Sequence, residues 1–152
     1  ARRAAHIADG WFPPIDPRLW TPYQEECIKL GKPDPGPYPN HGPIFLWVSE
    51  DPEADWRMLM PHIFHQIRSY AEWTQEAFGR TAGPFAGLPD EAAVRKNPAF
   101  QVLTPEQTLA MAENLGPEGV LYLNPLLAGI DPRRARRMLD LYERAVHPHL
   151  PR

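Results

Sequence analysis

Ile44-Phe45-Leu46-Trp47-Val48-Ser49-Glu50-Asp51-Pro52 is an apolar run that ends in a helix-start signal. The run does not alternate strictly between apolar and polar residues, which is the pattern of a parallel strand covered on both faces. Asp51 then offers its carboxylate to the free N–H groups of a first helical turn, and Pro52 has no N–H to leave unsatisfied there. Strand, short loop and capped helix form the grammar of a βαβ unit, so this stretch points to an α/β fold with parallel strands.

The same cap-then-proline signature recurs at Asp16-Pro17, Thr104-Pro105 and Asp131-Pro132. Thr104-Pro105-Glu106-Gln107 is also a capping box, with Gln107 placed to return a bond to the Thr104 amide. Short apolar runs at 10–13 and 119–124 precede two of these starts, so strands are predicted near 10–13, 44–49 and 119–124. After Asp51, an amphipathic stripe of Trp56, Leu59, Ile63, Phe64, Ile67, Tyr70, Ala71 and Phe78 predicts a long helix, kinked or restarted at Pro61. Gly83-Pro84, Gly87, Pro89 and Asn97-Pro98 make 79–100 a loop excursion with one turn of helix at 90–95. A second loop, 31–42 with four prolines, links a helix at 23–30 to the next strand.

With 152 residues, the chain is read as a single domain and is too short for a complete eight-stranded α/β barrel, which takes about 250. Its net charge of -3 gives no basic footprint for nucleic acid. The cluster Arg133, Arg134, Arg136 and Arg137 reads as the solvated face of a helix. Cys27 is the single cysteine, so no intramolecular disulfide can form and it is read as a small apolar packing residue. A reducing cytoplasm fits that usage, and no apolar run is long enough for a membrane helix. The expectation is a soluble cytoplasmic protein with no nucleic-acid or membrane partner.

At the other end stands Ala1-Arg2-Arg3-Ala4-Ala5-His6-Ile7-Ala8-Asp9-Gly10-Trp11-Phe12-Pro13. It reads as the tail of a helix running into a short buried strand, without a capping residue ahead of it. This string resembles a segment near the start of the C-terminal third of luciferase-like monooxygenases, the flavin- or deazaflavin-dependent bacterial-luciferase superfamily. Gly119-Val120-Leu121-Tyr122-Leu123-Asn124-Pro125, followed by Asp131-Pro132 and the helix ending Ala145-Val146-His147-Pro148, resembles their last strand and closing helix. The resemblance implies the C-terminal portion of a (β/α)8 TIM barrel, with about three parallel strands and long helices. It also implies an oxidoreductase that uses FMN, or alternatively the deazaflavin coenzyme F420, on a small organic substrate. The family's Gly-Gly-Ser-like phosphate loop precedes the matching helix and is not in this sequence. The expectation is therefore a fragment joined to an N-terminal part of the same protein, or a short homologue completed by homo-oligomerisation. A non-catalytic barrel remnant serving assembly or ligand binding is the alternative from another class.

In α/β barrels the working groups lie past the carboxyl ends of the strands, which here selects Trp11, Phe12, Ser49, Glu50, Tyr122 and Asn124. The resemblance nominates Arg2 and Arg3 for the flavin phosphate, Trp11 for a wall of the isoalloxazine and Asn124 for a flavin edge. Each also has a plainer reading: solvated helix face, core packing or turn residue. His62, His65, Arg68 and Tyr70 could line a substrate pocket, the histidines as general acid or base, or simply form a partly exposed helix face. No third ligand accompanies His62 and His65 at useful spacing, so a metal is not expected.

Overall fold

Cap chemistry places the helices where the sequence puts their starts. In the structure, a computed structural model describing residues 1–12, 16–81, 83, 86–117 and 119–150, the chain divides into two units, Ala1–Asn40 and His41–Arg152. The first unit assembles a small core of its own around Ala5, Trp20, Tyr23 and Cys27.

That first unit pairs helix α1 (Arg2–Ile7) with helix α2 (Trp20–Lys29). Glu26 on α2 ties the two, accepting from His6 Nε2 at 3.0 Å and lying 3.8 Å from Arg2 Nε. Asp16 opens the 3-10 turn Pro17–Leu19 ahead of α2 by accepting from the Arg18 amide at 3.0 Å. Trp11 stacks on Trp20 at 6.3 Å between ring centroids and meets Tyr23 edge-on at 5.2 Å. Residues 10–12 form no strand, and Pro13 lies outside the described residues. The predicted strand near 10–13 is not found there because Trp11 enters this aromatic cluster instead of a hydrogen-bonded ladder.

The second unit is built on β1 (Phe45–Val48), all four of whose residues are buried. Strand β2 (Phe100–Leu103) runs parallel to it in the register Phe45↔Phe100 through Val48↔Leu103. On the opposite edge of β1, residues 120–123 run parallel but touch only through the bridges His41↔Val120 and Leu46↔Leu123. The predicted strand 119–124 thus survives as a pair of bridges. Its closing contact, Asn124 N–H to the Leu46 carbonyl, stretches to 3.4 Å. The fold is mixed α/β with parallel strands, as the opening stretch requires.

Strand order is the informative part. The earliest strand, β1, stands in the middle, and the next two strand segments fall on opposite sides of it. In a closed barrel, neighbours in the sheet are neighbours in the chain; here β2 takes the edge of β1 that a preceding barrel strand would occupy. A reversal of this kind is the switch point of open α/β sheets.

Helix α3 (Pro52–Phe78) begins as predicted, with Asp51 Oδ1 accepting from the Ala54 amide at 3.1 Å. Of the kink or restart expected at Pro61, the restart is not found: one helix runs through it. Trp56, Leu59 and Met60 before Pro61, and Ile63 and Ile67 after it, are buried in the same core. That shared anchorage holds one helix across the missing N–H. Gly79 ends α3 in the left-handed region, at φ 66°.

Within the expected loop 79–100, the predicted turn of helix is present as α4 (Glu91–Lys96), capped by Asp90. Helix α5 (Pro105–Leu115) carries the complete capping box: Thr104 Oγ1 accepts from the Gln107 amide at 3.3 Å, and Gln107 Oε1 from the Thr104 amide at 3.0 Å. Helix α6 (Pro132–Ala145) starts at Asp131 and buries Ala135, Met138 and Leu141. Met138 and Leu141 join Phe45, Trp47 and the buried face of α3 in one core.

Candidate functional site

At the carboxyl end of β1, the chain leaves the sheet through Ser49, Glu50 and Asp51 and enters α3. Ser49 is buried and holds this exit: its amide donates to the Leu103 carbonyl at 2.8 Å, and its hydroxyl accepts from the Asp51 amide at 3.0 Å. Beyond the exit lies a cavity of about 450 Å³, lined by the end of β1, the first turns of α3 and one face of α6. Its apolar lining is Trp47, Val48, Met58, Met138 and Leu141.

The charges around it divide unevenly. Four carboxylates line the cavity, and each is engaged. Asp55 Oδ2 accepts from the Trp47 indole N–H at 3.0 Å, and Asp51 caps α3. Glu50 Oε1 accepts from Arg144 at 3.3 Å, and Asp140 Oδ1 from Arg136 Nε at 3.1 Å. Arg134 and Arg137 also line the cavity and have no ion pair or side-chain hydrogen bond with any described residue. Guanidinium groups stay charged at any physiological pH, so two unpaired cations face this space. The arginine cluster is the exposed helix face that the sequence predicts, with the added feature that part of it borders a cavity.

Of the positions singled out from the sequence, Ser49 and Glu50 lie at this cavity. The pocket candidates on α3 do not line it: His65, Arg68 and Tyr70 are exposed along the helix. His62 Nδ1 sits 2.9 Å from the Ala128 carbonyl and donates to it. Ala128 holds φ 42° inside the 3-10 turn Leu127–Gly129, a left-handed conformation uncommon outside glycine. His62 is thus a tether between α3 and a strained turn. Tyr70 instead packs its ring against Trp73 at 5.2 Å.

Among the flavin candidates, Arg2, Arg3 and Trp11 belong to the first unit and Asn124 to the second. Trp11 is committed to Trp20 and Tyr23, Arg2 leans toward Glu26, and the Asn124 amide serves the β1 edge. Among the described residues, no group of three or more His, Cys, Asp and Glu side chains is gathered closely enough to hold a metal ion. A smaller cleft of about 220 Å³ lies between the end of α5 and Leu121, Tyr142 and Leu150. Burial pushes the Tyr142 phenol up, so it stays neutral there.

Sequence reasoning passed over β2, although Phe100-Gln101-Val102-Leu103 stands directly before the Thr104-Pro105 cap, as the other short runs stand ahead of theirs. It also passed over the cavity-lining role of Arg134 and Arg137, whose three-residue spacing puts them on one helix face. No helix among the described residues is long and apolar enough to cross a membrane. No protein-family model, curated protein or solved structure matches the chain.

Proposed function

We propose that the chain forms part of a flavin-dependent oxidoreductase of the luciferase-like class, acting on a small organic substrate. One observation carries the reading. Segments 44–49 and 119–124, which the resemblance makes successive barrel strands, run parallel side by side through the bridges His41↔Val120 and Leu46↔Leu123. The placement of β2 argues for an open sheet at this point, and the portion of a (β/α)8 barrel belongs to the proposal rather than to the observed fold.

Reduced FMN, when bound, supplies the electrons for oxidation, and F420 would supply hydride instead. The chain's own contribution is the parallel framework and the cavity at its carboxyl edge, where α/β proteins place their ligands. A cytoplasmic setting and assembly with copies of itself, or with an N-terminal part of the same protein, belong to this proposal. The packing of Trp11 favours a second reading, a non-catalytic ligand-binding or assembly subunit. Fluorescence titration of the protein with FMN and with F420 separates these. Saturable binding of one cofactor supports the oxidoreductase and names its cofactor, whereas binding of neither favours the second reading.

A further inference from the structure

Two of the three arginines lining the cavity at the end of β1 have no carboxylate partner among the described residues. We propose that the cavity binds a small organic oxyanion, a carboxylate or phosphate monoester carried on an apolar or aromatic body. The inference goes beyond the oxidoreductase reading and is independent of which cofactor, if any, the protein uses.

Three features combine. The position is the carboxyl end of the central strand, at the point where strand order reverses, the place where open α/β sheets bind ligands. The volume, about 450 Å³, falls in the range of small-molecule sites. The chemistry of the lining is split: Trp47, Met58, Met138 and Leu141 offer an apolar surface, while Arg134 and Arg137 offer forked donors without a partner among the described residues. Guanidinium pairs match carboxylate and phosphate oxygens geometrically, so an oxyanion completes what the carboxylates leave undone.

The carboxylates do not reverse this preference. Asp55 is turned to the Trp47 indole, Asp51 to the α3 amides, Glu50 to Arg144 and Asp140 to Arg136. The lining as a whole holds four carboxylates and three guanidinium groups, so the preference for an anion rests on Arg134 and Arg137, which have no carboxylate partner among the described residues. The N-terminal turn of α3, a helix of 27 residues, adds its positive end on the same side.

The test is calorimetry on the full chain with phenyl phosphate, benzoate, benzyl alcohol and benzylamine, with the Trp47 indole N–H followed by NMR. Phenyl phosphate or benzoate is expected to bind, to shift the Trp47 signal and to weaken with added salt. The Arg134→Gln/Arg137→Gln double variant should lose about tenfold to a hundredfold in affinity. Arg133→Gln, at an exposed arginine outside the cavity lining, should leave binding unchanged. Which of the two oxyanions binds tighter identifies the headgroup. Equal binding to the double variant, tighter binding of benzylamine, or no binding by either anion to the wild-type chain would overturn the proposal.

Discussion

Asp55→Ala removes the acceptor of the Trp47 indole N–H, a donor attached to a side chain that is only 2% exposed. A hydrogen bond to a charged acceptor contributes about 1.5–3 kcal/mol. Asp55 also stands in the first turn of α3, where a negative charge adds about 0.3–1 kcal/mol. Alanine returns about 0.5 kcal/mol through better helix propensity. The net expectation is a loss of about 2 kcal/mol, which for a chain of this size lowers Tm by about 4–8 °C. Asp55→Asn keeps an oxygen acceptor and loses only the charge, so it should cost less than half as much. Thermal unfolding followed by circular dichroism measures both. If Asp55→Ala unfolds with the wild type, or Asp55→Asn is as damaging as Asp55→Ala, the Trp47–Asp55 bond does not hold the β1 exit and the reasoning fails.

Thr104→Ala removes the Oγ1 half of the capping box, leaving the Thr104 amide to donate to Gln107, and should destabilise by about 0.5–2 kcal/mol in urea titration. A double-mutant cycle with Gln107→Ala should return a coupling between the two changes, and strict additivity would contradict the box. Ile63→Ala, at a fully buried position where α3 crosses the core, should cost about 2–5 kcal/mol, and a loss under 1 kcal/mol would place Ile63 outside the packed interior. The Asp34 carboxylate accepts from Gln24 Nε2 and from the Gly36 amide, and these bonds hold its pKa below the ordinary aspartate value, the Gln24 bond first. A depressed folded pKa means that this support for the 31–42 loop is present above the ordinary value and is lost as pH falls through the lowered one. Carboxyl NMR should find Asp34 titrating below an exposed reference aspartate, and titration at the reference value would remove the loop anchor.

Local chemistry made the helix starts legible. Asp16, Asp51, Thr104 and Asp131 each cap the helical turn that the sequence assigns, and even the brief helix after Asp90 is present, because a cap is settled by a few adjacent residues. The capping box formed in both directions for the same reason. Cys27 packs as a buried apolar residue, as its solitary occurrence suggests.

What the sequence obscures is settled between distant residues. Trp11 looks like a strand residue until Trp20 and Tyr23 are brought to it, and Pro61 looks like a break until both halves of α3 share one core. The edge on which β2 pairs is decided by the crossover, which no local pattern records. His62 has an ordinary helical position, yet its partner is a carbonyl 66 residues away. The cavity is in the same category: Arg134 and Arg137 read as solvated until the end of β1 and the first turns of α3 are placed opposite them.

Native mass spectrometry of protein expressed from its whole reading frame tests the functional proposal most directly, because it reports chain mass, subunit number and retained cofactor together. The oxidoreductase account predicts particles carrying a mass increment of FMN or of a deazaflavin. Cofactor-free particles that take up neither when supplied would contradict it and leave the ligand-binding role in its place.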